Sequence, residues 1–244
     1  MTYNPEQIMI MERLQMGREL SRAHVVQHQY RQRFAQASDY RNALWSVLCK
    51  NFFQRYVDGA ATLLDLGCGW GEFSNNIVAG KKYAIDMNPD AANHLRDNVE
   101  LILQDCSQPW PLPWPWPDNS LDVVFTSNFL EHLPDKSSIE LTIASVKRYL
   151  KPGGVFIALG PNVRLLPGAY WDFWDHHVQI SDRSLVGLLR LNGFSIREQH
   201  AGFLPYTMSD GNHPNLLLVK LYFRFGFFWK LLGKQFLVVA VSEK

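Results

Sequence analysis

One short stretch of the sequence joins an acidic residue to three glycines at alternate positions. The stretch TLLDLGCGWGEFSNNI, residues 62–77, places Asp65 in an apolar run and then Gly67, Gly69 and Gly71 directly after it. Glycine has no Cβ, so a turn built from it lets backbone amides come close to a ligand. The pattern predicts a strand, a ligand-binding turn and a helix. A tight turn without any ligand is the alternative for these residues taken alone.

Two further acidic residues follow the next two strand-like runs. Asp86 ends the run YAIDMN, and Asp105 ends the run LILQDCS. An acid at the end of the second strand accepts hydrogen bonds from the ribose hydroxyls of a nucleotide-like cofactor. An acid after the third strand can meet an adenine amino group. Asp65, Asp86 and Asp105 together therefore predict a site for an adenosine-containing cofactor.

The surrounding elements must bring these acids to one edge of a sheet. From Thr62 onward, short β-rich runs alternate with stretches of helical pattern, and two further helices precede them at about residues 4–37 and 40–57. This alternation is typical of a parallel, doubly wound α/β sheet with helices on both faces. Ligands of such folds bind at the carboxyl ends of the strands, which is where the three acids fall.

Composition and charge narrow the classes of function. The chain has 244 residues, 47% of them hydrophobic, and a formal net charge of +1, so no strong field predicts a nucleic-acid partner. Cys49, Cys68 and Cys106 match neither a disulfide framework nor a metal-ligand spacing, and we predict no metal site. The N-terminal residues lack the pattern of a signal peptide, which favours a cytoplasmic location.

Five motifs, in order, resemble those of class I S-adenosylmethionine-dependent methyltransferases. They are LLDLGCGWGEF, AIDMNP, LQDCS, LDVVFTSNFLEHLPD and LKPGGVFIALGPN, and the resemblance covers about residues 62–202. The branch that acts on small molecules, including quinones, sugars and lipid-linked intermediates, is the most similar. The resemblance implies a Rossmann-like, doubly wound, seven-stranded sheet with an antiparallel C-terminal edge strand. It also implies a helical extension over residues 1–58 that lies across the active site as a lid, followed by a methyltransferase domain over 59–244.

The resemblance also assigns S-adenosylmethionine as cofactor, with S-adenosylhomocysteine as product, and a set of cofactor-binding residues. By it, residues 65–71 cradle the amino-acid part of the cofactor, Asp86 binds the ribose, and Asp105 and Cys106 frame the adenine. Asn128 lies near the reacting sulfonium, and Arg41 is a candidate partner of the cofactor carboxylate or else a surface arginine. The full set is Arg41, Asp65, Gly67, Cys68, Gly69, Gly71, Asp86, Met87, Asp105, Cys106 and Asn128.

Three histidines are candidate general bases for a hydroxyl acceptor, because histidine accepts a proton near neutral pH. His132 follows the fourth strand, in FLEHLPD, and His176 and His177 follow the fifth strand, in GAYWDFWDHHVQISD. Each has a structural alternative: EHLPD can fix a loop backbone, and DHH can cap the next helix or bond a backbone carbonyl. Aromatic residues around the histidine pair predict an apolar acceptor pocket.

An apolar helical insertion is predicted at about residues 214–233. It carries Lys220, Arg224, Lys230 and Lys234, which fall on one arc of a helical projection. A basic amphipathic helix of this kind can lie in a membrane interface but cannot span a bilayer. A lid helix or a homodimer interface is the alternative for the same apolar face.

O-methylation of a small-molecule or lipid-linked acceptor is the function predicted from these features. A catalytically silent cofactor-binding module, associated with a membrane or a partner, is one alternative. An NAD-dependent oxidoreductase is the other, and the spacing of the glycines argues against it. The dinucleotide fingerprint would place its third glycine at the position of Glu72.

Overall fold

Seven strands form one mixed sheet in the computed structural model, which describes residues 24–28, 30–32, 37–107, 115–206 and 214–244. The order across the sheet is β3-β2-β1-β4-β5-β7-β6. The strands are β1 Thr62–Leu66, β2 Lys81–Asp86, β3 Val99–Leu103, β4 Leu121–Ser127, β5 Leu150–Pro161, β6 Phe194–Leu204 and β7 Gln235–Ser242. Neighbouring strands from β3 through β5 pair in parallel, whereas β7 is antiparallel to both β5 and β6. The antiparallel direction predicted for the C-terminal strand is therefore confirmed, whereas the edge position predicted for it is taken by β6.

Helix α1 precedes the strands and the other helices fall between them, as the sequence pattern predicts. They are α1 Ser38–Asn51, α2 Glu72–Asn76, α3 Ala91–His94, α4 Lys136–Tyr149, α5 Asp182–Leu191, α6 Leu216–Arg224 and α7 Phe227–Leu232. Side chains cap the longer ones: Asp135 accepts from the Ser138 amide before α4, and Ser181 forms a capping box with Ser184 before α5. Most of the first predicted helix, at about residues 4–37, lies outside the described residues.

Both faces of the sheet are buried, as expected for parallel strands covered by helices. Along β1, Leu64 and Leu66 pack in a cluster shared with α4 and α5, whereas Leu63 packs in a second cluster on the other face. That second cluster includes Trp45 of α1, whose ring centroid lies 5.9 Å from that of Phe125 in β4. Helix α1 therefore belongs to the same core as the sheet.

Two helices occupy the C-terminal stretch where one continuous helix is the prediction. Helix α6 ends at Arg224 and α7 begins at Phe227, with Phe225 and Gly226 between them. Glycine is a poor helix former, which explains a break at this point. The basic residues of this stretch are consequently shared between two helices and the segment after them.

Candidate active site

The glycine turn after β1 has the backbone conformation that only glycine adopts readily. Gly67, Gly69 and Gly71 have φ angles of +72°, +56° and +77°. A Cβ atom on Gly67 would lie 2.3 Å from the Phe129 ring, so close approach as well as backbone conformation requires glycine there. The turn leads directly into α2, as the sequence predicts.

Asp86, the last residue of β2, presents its carboxylate beside this turn. The Gly69 amide donates to Oδ2 at 2.7 Å, and the Asn88 amide donates to Oδ1 at 2.8 Å. Burial raises the pKa of Asp86 to about 6, although the backbone amides of Asn88, Gly69 and Met87 act in the opposite direction. An ionised Asp86 is thus a fixed hydrogen-bond acceptor next to the glycine turn, as a ribose diol requires.

Asp65 lies within β1, and its carboxylate is buried. The Ser74 hydroxyl of α2 donates to Asp65 Oδ2 at 2.6 Å. Burial raises the pKa of Asp65 to about 7, and the Ser74 hydrogen bond offsets part of that rise. The two carboxylates influence each other, because the charge of Asp86 also raises the pKa of Asp65.

The remaining predicted residues of the cofactor end follow β3 and β4. Asp105 comes two residues after β3 ends and accepts a hydrogen bond from the Ser107 amide at 2.8 Å, with buried Cys106 between them. Asn128 directly follows β4, has a φ of +49°, and donates from its side chain to the Ser127 hydroxyl at 3.1 Å. Both therefore lie on loops at the carboxyl ends of strands.

One cavity of about 850 Å³ brings most of the predicted site residues together. The predicted residues in its lining are Arg41, Asp65, Gly67, Cys68, Asp86, Met87, Asp105, Cys106, Asn128, His132, His176 and His177. The other two glycines have different neighbours: Gly69 lies against Tyr30, and Gly71 lies against Leu95. The glycine turn, the acid-bearing strand ends and the three histidines thus share one space.

Helix α1 and the described residues before it cover part of this cavity. Arg31 binds the buried Asp90 in a bidentate contact, Nε to Oδ2 at 2.6 Å and Nη2 to Oδ1 at 2.7 Å. Tyr30, in the same segment, lies in the cavity wall. Arg41 of α1 donates from Nε to Glu72 Oε1 at 2.6 Å, and both side chains are buried. The role of Arg41 toward a cofactor carboxylate stays a prediction.

A polar cluster forms where the loops after β4 and β5 meet. Glu131 and His132 belong to a 3-10 turn, Leu130–His132, and His176 belongs to the later loop. The rings of His132 and His176 are 5.0 Å apart, and the His132 Nε2 atom is 3.9 Å from Glu131 Oε1. His177 is exposed and contributes its backbone amide, which donates to the Glu131 carbonyl at 2.8 Å. The assignment of these histidines as general bases stays a prediction.

Glu131 is the member of this cluster that sequence reasoning missed. Its side chain is buried, Oε1 has no hydrogen-bond partner among the described residues, and burial raises its pKa to about 8. The structural role considered for EHLPD is also present, because the Glu131 carbonyl accepts from the amides of His177 and Val178. The sequence did contain a signal for Glu131: an acid stands next to a histidine after β4, and a pair of histidines follows β5.

Much of the remaining cavity wall is apolar. Phe173 and Trp174 line it, as predicted, and Trp174 is 92% exposed, whereas Tyr170 is a core residue whose hydroxyl donates to the Val178 carbonyl. Helices α6 and α7 contribute Leu218, Val219, Leu221, Tyr222, Phe228 and Leu232. An acceptor in this space would meet polar groups at the cluster and apolar side chains along α6 and α7.

Helices α6 and α7 also present a large apolar surface to solvent, because neither contains a buried residue. The exposed large side chains are Leu217, Leu218, Leu221, Phe225, Phe227, Phe228, Leu231 and Leu232, with Leu217 and Phe227 each 71% exposed. Four exposed cations accompany them, which we call the basic set: Lys220, Arg224, Lys230 and Lys234. Within the described ranges, every helix is too short or too polar to cross a lipid bilayer.

Comparison with known proteins agrees with this architecture. Residues 64–158 match the family model of a methyltransferase domain. A solved structure of a SAM-dependent methyltransferase from Archaeoglobus fulgidus superposes with a TM-score of 0.59, covering 85% of this chain and 98% of that one at 18% identity. At that identity the superposition shows the fold.

Two curated relatives are similar over part of their length. The 27-O-demethylrifamycin SV methyltransferase of Amycolatopsis mediterranei is 26% identical over 61% of this chain and 56% of its own length. The 2-methyl-6-phytyl-1,4-hydroquinone methyltransferase of Synechocystis sp. is 25% identical over 64% of this chain and 51% of its own. The chain thus spans about half the length of the curated relatives it matches.

Proposed function

Because this chain belongs to the class I S-adenosylmethionine-dependent methyltransferases, we propose that it methylates a hydroxyl group of a small, lipid-linked acceptor. The observation that carries the proposal is the continuity of the cavity. Its lining runs from the glycine turn and Asp86 to the Glu131 cluster and the apolar residues of α6 and α7. Cofactor and acceptor would therefore share one continuous cavity.

The residues of the glycine turn fit S-adenosylmethionine. A Cβ at Gly67 would occupy space that Phe129 fills, and the Asp86 carboxylate is held in place by two amides. Asp86 would accept from the ribose hydroxyls, Asp105 and Cys106 would flank the adenine, and residues 65–71 would hold the amino-acid end. When bound, the cofactor supplies a sulfonium-activated methyl group whose departure leaves a neutral thioether.

The chain's own residues then have to position the acceptor and exclude water. The acceptor oxygen would receive the methyl group that the bound cofactor supplies, the carbon–sulfur electron pair would stay on sulfur, and the hydroxyl proton would pass to water at the polar cluster. His132 and His176 lie at that cluster beside Glu131, so they are placed to orient the hydroxyl. Helix α1 and Tyr30 help to cover the opposite wall.

An apolar acceptor is supported by the walls and by the relatives. Phe173, Trp174 and the side chains of α6 and α7 offer hydrocarbon rather than polar partners. One relative is named for a hydroquinone that bears a phytyl chain, and the other for a rifamycin derivative. A hydroxyl next to a long apolar group would match a polar cluster next to an apolar wall.

The acceptor's lipid character predicts a route of entry, since α6 and α7 line the cavity and also face solvent. Their exposed leucines and phenylalanines suit the acyl boundary of a bilayer, and the basic set suits anionic headgroups. We therefore include contact with an anionic membrane surface in the proposal. A second copy of the chain covering the same surface is the competing outcome.

Transfer of radiolabel from the S-adenosylmethionine methyl group tests the proposal. The protein is incubated with that donor and either a lipid extract or a panel of water-soluble phenols and sugars. We expect label in the organic phase of the lipid reaction, and none when Asp86→Ala replaces the wild type. Label transferred only to soluble acceptors would contradict the lipid-linked part. Binding of S-adenosylhomocysteine without any transfer would favour the silent module.

A further inference from the structure

Glu131, His132 and His176 bring three potential metal ligands together in the wall of the cavity. One ligand atom from each residue lies within 4.8 Å of the other two. From this geometry we infer that the cluster binds one divalent transition-metal cation. Two imidazoles and a carboxylate are donors shared by zinc, manganese and iron(II), whereas magnesium and calcium prefer oxygen alone.

Both imidazoles are oriented as ligands through their hydrogen bonds to the backbone. Nδ1 of His132 lies 2.8 Å from the Asp175 carbonyl, and Nδ1 of His176 lies 2.7 Å from the Tyr170 carbonyl. A carbonyl oxygen only accepts, so each neutral ring carries its hydrogen on Nδ1 and its lone pair on Nε2. Metal-binding histidines are typically held in this way, with the second ring nitrogen donating to a carbonyl or carboxylate.

Glu131 would supply a negative charge to the bound ion. Its side chain is buried, and Oε1 has no hydrogen-bond partner within the described part of the chain. A carboxylate in this position needs a positive or hydrogen-bonding partner to offset the loss of water. The His132 Nε2 atom, at 3.9 Å, is beyond hydrogen-bond distance, and the other charged group that acts on Glu131 is the acidic Asp175. A cation beside Oε1 would supply that partner.

The separations suit a shared ion. Ligand bonds of about 2.1 Å allow two ligands of one ion to stand up to about 4.2 Å apart. The distance of 3.9 Å between Glu131 Oε1 and His132 Nε2 falls within that range. The ligand atoms of the cluster are at most 4.8 Å apart, so small side-chain rotations would bring all three to one ion. Three protein ligands leave coordination positions open toward the cavity.

The binding site itself does not depend on the proposed function, but its use in catalysis does. An acceptor hydroxyl that occupies an open position would be held near the cofactor, and the ion would lower its pKa. Its proton would pass to water, and its oxygen would then form the bond to the methyl carbon while the carbon–sulfur electron pair stays on sulfur. His132 and His176 would act as ligands rather than as direct proton acceptors.

Metal titration of the chelator-treated full chain tests the inference without any turnover. Binding of Mn²⁺ is followed by electron paramagnetic resonance, and binding of Zn²⁺ by calorimetry. We expect one ion per chain in the wild type and at least about tenfold weaker binding in each ligand variant, Glu131→Gln, His132→Ala and His176→Ala. His177→Ala is the matched control, since it removes a neighbouring histidine whose side chain lies outside the cluster. It should bind the ion like the wild type.

Binding of S-adenosylhomocysteine by every variant shows that the fold is intact. The inference is overturned if the wild type binds neither ion stoichiometrically, or if all three ligand variants bind as tightly as His177→Ala. Metal binding without methyl transfer to any acceptor would contradict the proposed function and leave the metal site standing. Methyl transfer by a chain that binds no metal would overturn the metal site and leave the proposed function standing.

Discussion

Replacing Asp86 by Asn tests the cofactor site with the smallest change of shape. The carboxylate accepts from two backbone amides, Gly69 to Oδ2 and Asn88 to Oδ1. An amide side chain has only one acceptor oxygen, so its NH₂ group must face one of these donors. The charged acceptor for the ribose is lost at the same time. Hydrogen bonds to a charged group contribute about 1.5–3 kcal/mol, so we expect affinity for S-adenosylhomocysteine to fall by roughly ten- to a hundredfold.

The same residue predicts how binding depends on pH. Burial raises the pKa of Asp86 to about 6, and the ribose hydroxyls need the ionised form. Lowering the pH through 6 protonates Asp86 in the free protein. Affinity for S-adenosylhomocysteine is therefore fully present above that pKa and is lost below it. Between about pH 8 and about pH 5, the wild type should lose roughly tenfold in affinity. Asp86→Asn should show a smaller loss, because the carboxyl with a pKa of about 6 is gone and Asp65 loses the neighbouring charge that helps to raise its pKa.

Isothermal titration calorimetry with S-adenosylhomocysteine at both pH values measures these effects. Asp118→Asn is the matched control, since Asp118 is exposed and forms only a surface ion pair with Arg148. Thermal unfolding of each variant checks that the fold is retained. Equal affinities of Asp86→Asn and wild type at the higher pH would refute the assignment of the ribose acceptor. A pH profile shared by both proteins would refute the titration argument.

Three further changes probe the turn, the buried acid and the C-terminal helices. In urea denaturation, Gly67→Ala should lower the free energy of unfolding by at least about 1–2 kcal/mol, because its φ is positive and Phe129 is close. Gly187→Ala is the control: a Cβ at this position in α5 meets open space, so the substitution should raise the free energy of unfolding slightly. Ser74→Ala should lower the free energy of unfolding by about 1–3 kcal/mol, because it removes the hydrogen-bond donor to buried Asp65. Ser120→Ala, which removes an exposed hydrogen bond, is the control and should not show this loss. Changing the basic set to glutamine should weaken binding to anionic vesicles by orders of magnitude, at about 1 kcal/mol per residue. The control variant changes Lys50, Lys81, Lys136 and Arg190 to glutamine. Membrane docking would be contradicted by unaltered vesicle binding or by an equal loss of binding in this control. Dimerisation through the same surface would also contradict it.

The positions of the residues proposed to bind the cofactor were predictable because their signals are local in the chain. Gly67, Gly69 and Gly71 follow β1 directly, and Asp86 ends β2, so strand pattern and turn chemistry place them without knowledge of tertiary packing. The alternation of strands and helices likewise fixes a parallel sheet, since a doubly wound arrangement buries both faces of each strand. The family resemblance added the antiparallel direction of β7, which local pattern does not give.

The polar cluster was not predictable as a unit, because it depends on two loops meeting in space. The residue types of His132 and His176 make them candidates, but only the fold shows that they form one cluster with a buried Glu131. The contact of Arg41 with Glu72 depends in the same way on how α1 packs against α2. Gly226 is a local signal for a break between α6 and α7. A helical projection over the whole stretch treats it as one helix and does not show this break.

Mass spectrometry of the reaction product tests the central claim most directly. The protein is incubated with S-adenosylmethionine that carries a deuterated methyl group and with the lipid extract, and the products are separated and fragmented. We predict a lipid-soluble product that gains one CD₃ group on oxygen, together with an equal amount of S-adenosylhomocysteine. A product unchanged in mass, or one altered only when NAD is supplied, would contradict the account.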